Sequence, residues 1–251
     1  MTPTSRPAGT VAWVDLSTPE LDVAAAFYEG LFGWALETSD TPMGRYVIGS
    51  VELSPVGGMM APLEEPAPPP AWTVFFGTDD IDTSYALAES AGATGMQPPM
   101  EIPGGDRIAV VADPVGAVVG LMHSTQEDGM AWGIPGAVAW VETTTDDVDA
   151  SRVFYEKVFG WSCSEGTYQY WMFDHGGEPV AGMMPKPAGM SEQVPSSWMP
   201  YFAVDLVEDA CDRATRLGGS VIVPIMTVET IRFAVVQDPA EAVFGVMQGL
   251  H

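Results

Sequence analysis

A tryptophan and a carboxylate stand two residues apart at two places in the chain: Trp13 and Asp15 in VAWVDL, and Trp140 and Glu142 in VAWVET. Residues two apart in a strand point to one face, so each pair is predicted to share a surface. The indole offers a large rigid ring on which an aromatic ligand can stack. The acid can hold a cation, or it can serve as a general base if burial raises its pKa.

A structural role for the two acids is the alternative, because a buried carboxylate is costly without a partner. A backbone amide can supply that partner. So can Arg107 in DRIAVVADP and Arg232 in TIRFAVVQDP, which also recur in the two halves of the chain. Both interpretations stay open at this level.

The two pairs belong to a repeat that covers the chain. VAWVDLSTPELDVAAAFYEGLFGW begins at Val11, and VAWVETTTDDVDASRVFYEKVFGW begins at Val138, 127 residues later. A repeat with so long a period indicates a duplicated domain. We predict a first domain over residues 8–124, a linker over 125–136 where turn formers and charges replace periodic apolar residues, and a second domain over 137–251.

Each half divides again into two modules. A strand over 11–16 precedes helical spacing of apolar residues over 21–32, which Gly33 ends, and three short strands follow. After a proline-rich linker the same order starts again at Trp72. We predict an α+β protein of four βαβββ modules, in which each helix lies on a small mixed sheet and two sheets form a half-open cup with a concave pocket.

The motifs AFYEGLFGW, after the first strand, and ADPVGAVVGLM, at the end of the second module, resemble the vicinal oxygen chelate superfamily. Its members include glyoxalase I, extradiol dioxygenases, fosfomycin-resistance enzymes and bleomycin-binding proteins. The chain is most similar to two-domain actinobacterial proteins of the glyoxalase-like or hydroxylase-like type. The resemblance implies two tandem glyoxalase/bleomycin-resistance-like domains with cup-shaped mixed sheets. Such a fold hosts unrelated functions, so the site must decide the activity.

Metal-dependent members of this superfamily take His or Glu from the first strand of a module and Glu from the last. Aligned through the FY and DP anchors, these positions hold residues that are poor metal ligands: Trp13, Gly58, Thr73, Gly120, Trp140, Gly182, Met199 and Gly245. We therefore expect no metal and no cofactor. The three histidines, His123, His175 and His251, do not pair at ligand spacing and are expected to be solvated.

Aromatic residues, methionine and glycine dominate the face that is predicted to line the cups. Glycine inside a strand often marks close approach of a ligand or of another backbone, and methionine suits adaptable apolar surfaces. The alternative is an ordinary core with methionine as filler and glycine at bulges. The predicted ligand-binding set is Trp13, Asp15, Gly58, Met60, Thr73, Phe75, Gly120, Met122, Trp140, Glu142, Gly182, Met184, Met199, Tyr201, Gly245 and Met247.

Composition excludes several classes of partner. The net charge of −25, with only 9 lysines and arginines, removes the basic face that nucleic acid or an anionic membrane requires. No apolar run approaches a membrane span, and the N-terminal residues lack the apolar core of a signal peptide. Two cysteines without partners in the first half indicate free thiols and a cytoplasmic location.

The sequence favours a metal-free binding protein for a planar aromatic small molecule, such as an antibiotic or an anthracycline-like polyketide. A cationic group on that ligand would suit Asp15 and Glu142, and the protein would serve self-resistance, sequestration or support of a biosynthetic pathway. The first alternative is a cofactor-independent enzyme with these two acids as acid and base. The second is a metal-dependent lyase or dioxygenase. Four modules suffice for a monomer, and a homodimer stays open.

Overall fold

The computed structural model describes residues 7–63, 66–125, 129–189 and 194–249. The first half contains β1 (Val11–Ser17), α1 (Leu21–Phe32), β2 (Ala35–Thr41), β3 (Gly44–Val51), β4 (Ser54–Met60), β5 (Ala71–Gly77), α2 (Ile81–Ser90), β6 (Thr94–Glu101), β7 (Arg107–Ala112) and β8 (Val118–His123). The second half contains β9 (Val138–Thr145), α3 (Val148–Phe159), β10 (Ser162–Glu165), β11 (Trp171–His175), β12 (Glu178–Pro185), β13 (Ser197–Ala203), α4 (Val207–Arg216), β14 (Ser220–Val228), β15 (Ile231–Gln237) and β16 (Val243–Gln248). This order confirms the four βαβββ modules.

Each half of the sequence forms one eight-stranded mixed sheet. The strand orders are β2-β3-β4-β1-β5-β8-β7-β6 and β10-β11-β12-β9-β13-β16-β15-β14. In every module the first and last strands are parallel neighbours, and the remaining strands pair antiparallel. The fold class predicted from the sequence is therefore confirmed.

Helix ends follow the sequence signals more closely than strand ends do. Gly33 adopts φ 72° after α1, a left-handed conformation that costs glycine little, and its amide donates to Glu29. By contrast β2 runs to Thr41, beyond the predicted strand, because its polar residues are exposed and carry no apolar alternation. In the described part of the chain, no helix is long and apolar enough to cross a membrane.

The chain forms two compact units, each discontinuous in sequence. Unit one comprises residues 1–12, 74–129 and 141–198, and unit two comprises residues 13–73, 130–140 and 199–251, in both cases as far as they are described. Each unit thus draws on both halves of the chain. The predicted domain bounds, which follow the halves themselves, stay a prediction.

The core of unit two is an aromatic cluster around Tyr28 of α1. Its hydroxyl donates to Oδ2 of Asp238 at 3.0 Å and accepts the Trp72 indole N–H at 3.1 Å. Oδ1 of Asp238 accepts the backbone amides of Ala240 and Ala242 at 2.8 and 2.9 Å. The FY motif of the first half and the DP motif of the second half therefore meet in one hydrogen-bonded network that leaves no buried group of the triad unpaired.

Unit one repeats this network with the halves exchanged. Tyr155 of α3 donates to Oδ2 of Asp113 at 2.8 Å and accepts the Trp198 indole N–H at 2.7 Å. Oδ1 of Asp113 accepts the amides of Val115 and Ala117 at 3.0 and 2.8 Å. Because each network joins the two halves, the recurring motifs do structural work in the interior and belong to no ligand site.

Candidate functional site

Trp13, Asp15 and Tyr46 form a hydrogen-bonded cluster on one face of the first module. The Trp13 indole N–H lies 2.9 Å from Oδ1 of Asp15 and 2.9 Å from the Tyr46 hydroxyl, which itself donates to the same Oδ1 at 2.5 Å. All three side chains are partly exposed. The cluster therefore combines a held aromatic ring with an oriented carboxylate on a face that solvent reaches.

Gly58 makes room for this cluster. It lies directly opposite Asp15 in the parallel pairing of β1 with β4. A Cβ atom at Gly58 would stand 1.8 Å from the Tyr46 hydroxyl and 2.3 Å from Oδ1 of Asp15, far inside van der Waals contact. Glycine is therefore required here by the protein's own side chains, which corrects the interpretation that it opens space for a ligand or another backbone.

Burial raises the pKa of Asp15 above its usual value, although the hydrogen bonds from Tyr46 and Trp13 lower it again. Burial also raises the pKa of Tyr46, and the neighbouring Asp15 charge adds to the effect, so the hydroxyl stays protonated as a donor. The acid is thus held by two neutral donors that do not cancel its charge.

The predicted structural partners of the acids bind elsewhere. Arg107 makes a two-pronged ion pair with Asp82 at the start of α2, at 2.7 and 3.0 Å. Arg232 pairs with Glu208 of α4, with one bond at 3.0 Å. The alternative that either arginine neutralises Asp15 is therefore wrong, because both guanidinium groups are taken up by helix carboxylates on the surface.

The same pairing of a residue with a glycine recurs in the other modules. Phe75 lies opposite Gly120, Glu142 opposite Gly182, and Tyr201 opposite Gly245. A Cβ at Gly120 would lie 2.1 Å from the Phe75 ring, and one at Gly245 would lie 2.0 Å from the Tyr201 ring. In the second and fourth modules an aromatic ring therefore fills the space that the missing side chain leaves.

The second acid is more enclosed than the first. Glu142 is 8% exposed, while Trp140 beside it is partly exposed. Tyr170 stands 12 residues before Gly182, as Tyr46 stands 12 residues before Gly58. The residue types of the first cluster are thus repeated in the third module.

The remaining predicted residues fall on the same faces without forming a closer cluster. Met60 is opposite Tyr46, Met122 is opposite Ile108, and Met247 is opposite Phe233. Thr73, Met184 and Met199 are partly exposed. Two surface cavities of about 270 and 300 Å³ lie elsewhere and contain none of the predicted residues.

The histidines differ from one another. His123 bonds through Nδ1 to the carbonyl of Thr78 at 3.0 Å, and His175 packs near Gly9 with a buried Nδ1 that has no hydrogen-bond partner. The expectation that His175 is solvated is therefore wrong for this atom, and His251 lies outside the described residues. Neither described histidine joins the clusters of the strand faces.

Sequence reasoning missed Tyr46. Its strand had been placed correctly, but a lone tyrosine in GRYVIGS carries no signal of its own. The signal that was available is the shared 12-residue spacing to Gly58 and Gly182, which survives a change in repeat offset between the halves.

A family model, described as the Glyoxalase/Bleomycin resistance protein/Dioxygenase superfamily, matches residues 10–121 and 137–246. The chain belongs to this superfamily.

Relatives within the superfamily match almost the whole chain. CFP32 of Mycobacterium tuberculosis (strain CDC 1551 / Oshkosh), a provisionally named glyoxylase, is 32% identical over 250 residues, with 96% of this chain and 95% of that protein covered. The anthracycline biosynthesis protein DnrV of Streptomyces peucetius is 35% identical over 260 residues, with 96% and 93% covered.

A solved structure of the superfamily has the same fold. The Mn(II)-bound glyoxalase from Novosphingobium aromaticivorans is similar with a TM-score of 0.67 at 14% identity, covering 100% of this chain and 84% of that one. At this level of identity the likeness concerns the fold alone.

The metal that many members of the superfamily bind does not fit the residues present here. Trp13 occupies the first-strand position and uses its N–H as a donor, while Tyr46 and Asp15 fill the space over Gly58. Gly120 and Gly245 are covered by aromatic rings. Across the described ranges there is no group of three or more His, Cys, Asp and Glu side chains at ligand distance. A first-row divalent ion requires several such donors together.

Proposed function

We propose that this protein binds an aromatic natural product, of the polyketide or anthracycline type, without a metal. The observation that carries the proposal is the position of Trp13, where metal-dependent members place a ligand. Asp15 and Tyr46 hold its indole N–H, so the ring is presented in one orientation on a face that solvent reaches. A ring that is already ordered loses little entropy when a ligand stacks on it.

The relatives support the class of ligand. DnrV and its counterpart DauV of Streptomyces sp. (strain C5) are both named for anthracycline biosynthesis, and each covers 96% of this chain. Binding of such a molecule would serve self-resistance, sequestration or support of a biosynthetic pathway. The free thiols of Cys163 and Cys211 support a cytoplasmic location for this role.

The test is calorimetric titration of the metal-stripped protein with a panel of aromatic polyketides that includes daunorubicin. We expect Trp13→Ala and Trp140→Ala each to weaken binding by about 1–3 kcal/mol, by analogy with the stacking of bases on aromatic side chains. Tyr168→Ala is the control, because that ring is 84% exposed and lies away from both clusters. Unchanged affinity in both tryptophan variants, or binding that requires one equivalent of metal per chain, would reject the proposal.

A cofactor-independent enzyme is the second candidate, and the contact between Tyr46 and Asp15 favours it. The hydroxyl and the carboxylate share a hydrogen bond, so two proton-transferring groups stand together. The aromatic panel should then be converted to product by the metal-free protein. Asp15→Asn or Glu142→Gln should slow that conversion by about 10²–10⁴-fold with little change in binding. Absence of any product under single-turnover conditions would leave the binding function alone.

A further inference from the structure

The carboxylate of Asp15 is used on one side only. Oδ1 accepts both the Tyr46 hydroxyl and the Trp13 indole N–H. No hydrogen bond from the described residues reaches Oδ2, and this oxygen is not one of the buried atoms without a partner, so it is open to solvent. Since an ionised carboxylate can accept about four hydrogen bonds, Asp15 retains unused acceptor capacity in a fixed direction.

The orientation of this oxygen is over-determined. Trp13 comes from β1, Tyr46 from β3, and Gly58 of β4 lies beneath them without a side chain. Rotation of the carboxylate would break two hydrogen bonds at once. A group that is held in its binding geometry before the ligand arrives adds affinity, because less order must be created on binding.

The charge of Asp15 is not balanced by a protein cation. In the described part of the chain no ion pair involves Asp15, and Arg45, the arginine next to Tyr46, pairs with Asp22. The whole chain has a net charge of −25, which attracts cations over long range. The open oxygen is therefore suited to a donor that also carries a positive charge.

We propose that Oδ2 of Asp15 receives a protonated amine of the aromatic ligand, and that Tyr46 is the positioning residue that aims this carboxylate. The inference rests on the proposed binding function and names the polar group of its ligand. Glu142, with Trp140 before it and Tyr170 at the matching distance from Gly182, makes a second site of the same kind.

The experiment uses two probes of the same shape, 1-naphthylmethylamine and 1-naphthalenemethanol, which differ in a protonated amine against a hydroxyl. Dissociation constants are measured by calorimetry at neutral pH, for the wild-type chain and for Glu142→Gln, which isolates the first site. We expect the amine to bind about tenfold more tightly than the alcohol, as typical for a charged hydrogen bond. Asp15→Asn in the Glu142→Gln chain should bring this ratio close to one.

Tyr46→Phe tests positioning, because it keeps the ring and removes only the hydroxyl. It should lower the amine-to-alcohol ratio by about threefold while the alcohol affinity stays within about twofold, a split that a general loss of structure would not produce. Asp82→Asn is the matched control, since it removes one surface carboxylate far along the chain from the cluster and should leave the ratio unchanged.

The outcomes separate the two proposals. Equal affinity for both probes in the wild-type chain, or a ratio unmoved by Asp15→Asn and Tyr46→Phe, overturns the inference, while weaker binding of both probes by Trp13→Ala keeps the stacking function. If neither probe binds the wild-type chain, both proposals are wrong.

Discussion

Tyr28 in unit two and Tyr155 in unit one make the same contacts: each donates to a buried aspartate and accepts a tryptophan N–H. The strand faces of the two units are less alike. Asp15, partly exposed, and Tyr201 lie opposite glycines in unit two, whereas Glu142, 8% exposed, and Phe75 do so in unit one.

This difference has a physical cause. A polar group sealed in the interior must find every partner within the protein, so neither copy of the triad tolerates a change in one member alone. A group on a face that water reaches is compensated by solvent when its partner changes. The interior of the duplicated fold is therefore constrained twice over, whereas its faces are free to take different ligands.

The largest expected effect concerns the buried triads. Asp238→Ala and Asp113→Ala should each lower the free energy of unfolding by about 3 kcal/mol, because a tyrosine hydroxyl and two backbone amides lose their acceptor in the interior. Denaturant titration measures both, with Asp212→Ala on the exposed face of α4 as control. Losses that differ widely between the two aspartates would show that the triads are not equivalent.

The next effect concerns the glycines that aromatic rings cover. Gly120→Ala and Gly245→Ala should each cost about 2 kcal/mol of stability, since the added Cβ collides with Phe75 or Tyr201. Gly249→Ala, where nothing lies within 4 Å, is the control. The collision is specific if Gly120→Ala costs much less in a Phe75→Ala background, as a double-mutant cycle reveals. Additive losses would contradict it.

A smaller effect, of opposite sign, separates the halves at a single position. Thr143 is fully buried and its hydroxyl has no hydrogen-bond partner, whereas the corresponding residue of the first half is Leu16. Thr143→Val should raise the free energy of unfolding by about 1 kcal/mol, because it removes an unpaired buried hydroxyl at nearly constant volume. Loss of stability on this change would mean that the hydroxyl has a partner in solution.

The smallest effect is the pH dependence of Asp15. Burial raises its pKa above 3.8, so the folded chain holds this proton more tightly than the unfolded chain. Its contribution to stability is therefore present at low pH and is lost as the pH rises through the raised pKa. The difference in unfolding free energy between the wild-type chain and Asp15→Asn should fall with rising pH.

Asp82 provides the opposite control. The hydrogen bond from Arg107 lowers its pKa below 3.8, so its contribution is present above that value and is lost as the pH falls. The difference between the wild-type chain and Asp82→Asn should accordingly rise with pH. Tyr46→Phe removes a hydrogen bond that lowers the pKa of Asp15 and should move the loss to higher pH. Parallel slopes for the two aspartates would refute this assignment.

Much of the architecture was predictable from the sequence. The repeat offset, the helix over 21–32 with its glycine end, and the alternation that puts Trp13 and Asp15 on one face are local properties of the chain. The poor metal ligands at the matching positions were also predictable once the motifs were aligned.

Partner choice was not predictable. Arg107 lies on a strand that carries its own acid neighbours in sequence, yet its guanidinium reaches Asp82 of α2. Gly58 was expected to leave space, and only the fold shows that Tyr46, on the adjacent strand, occupies it. Sequence periodicity determines which face a residue occupies, because that follows from the backbone repeat of a single strand. Tertiary structure alone decides what meets it there, because hydrogen bonds such as Tyr28 to Asp238 join residues that only the packing of the two halves brings within reach.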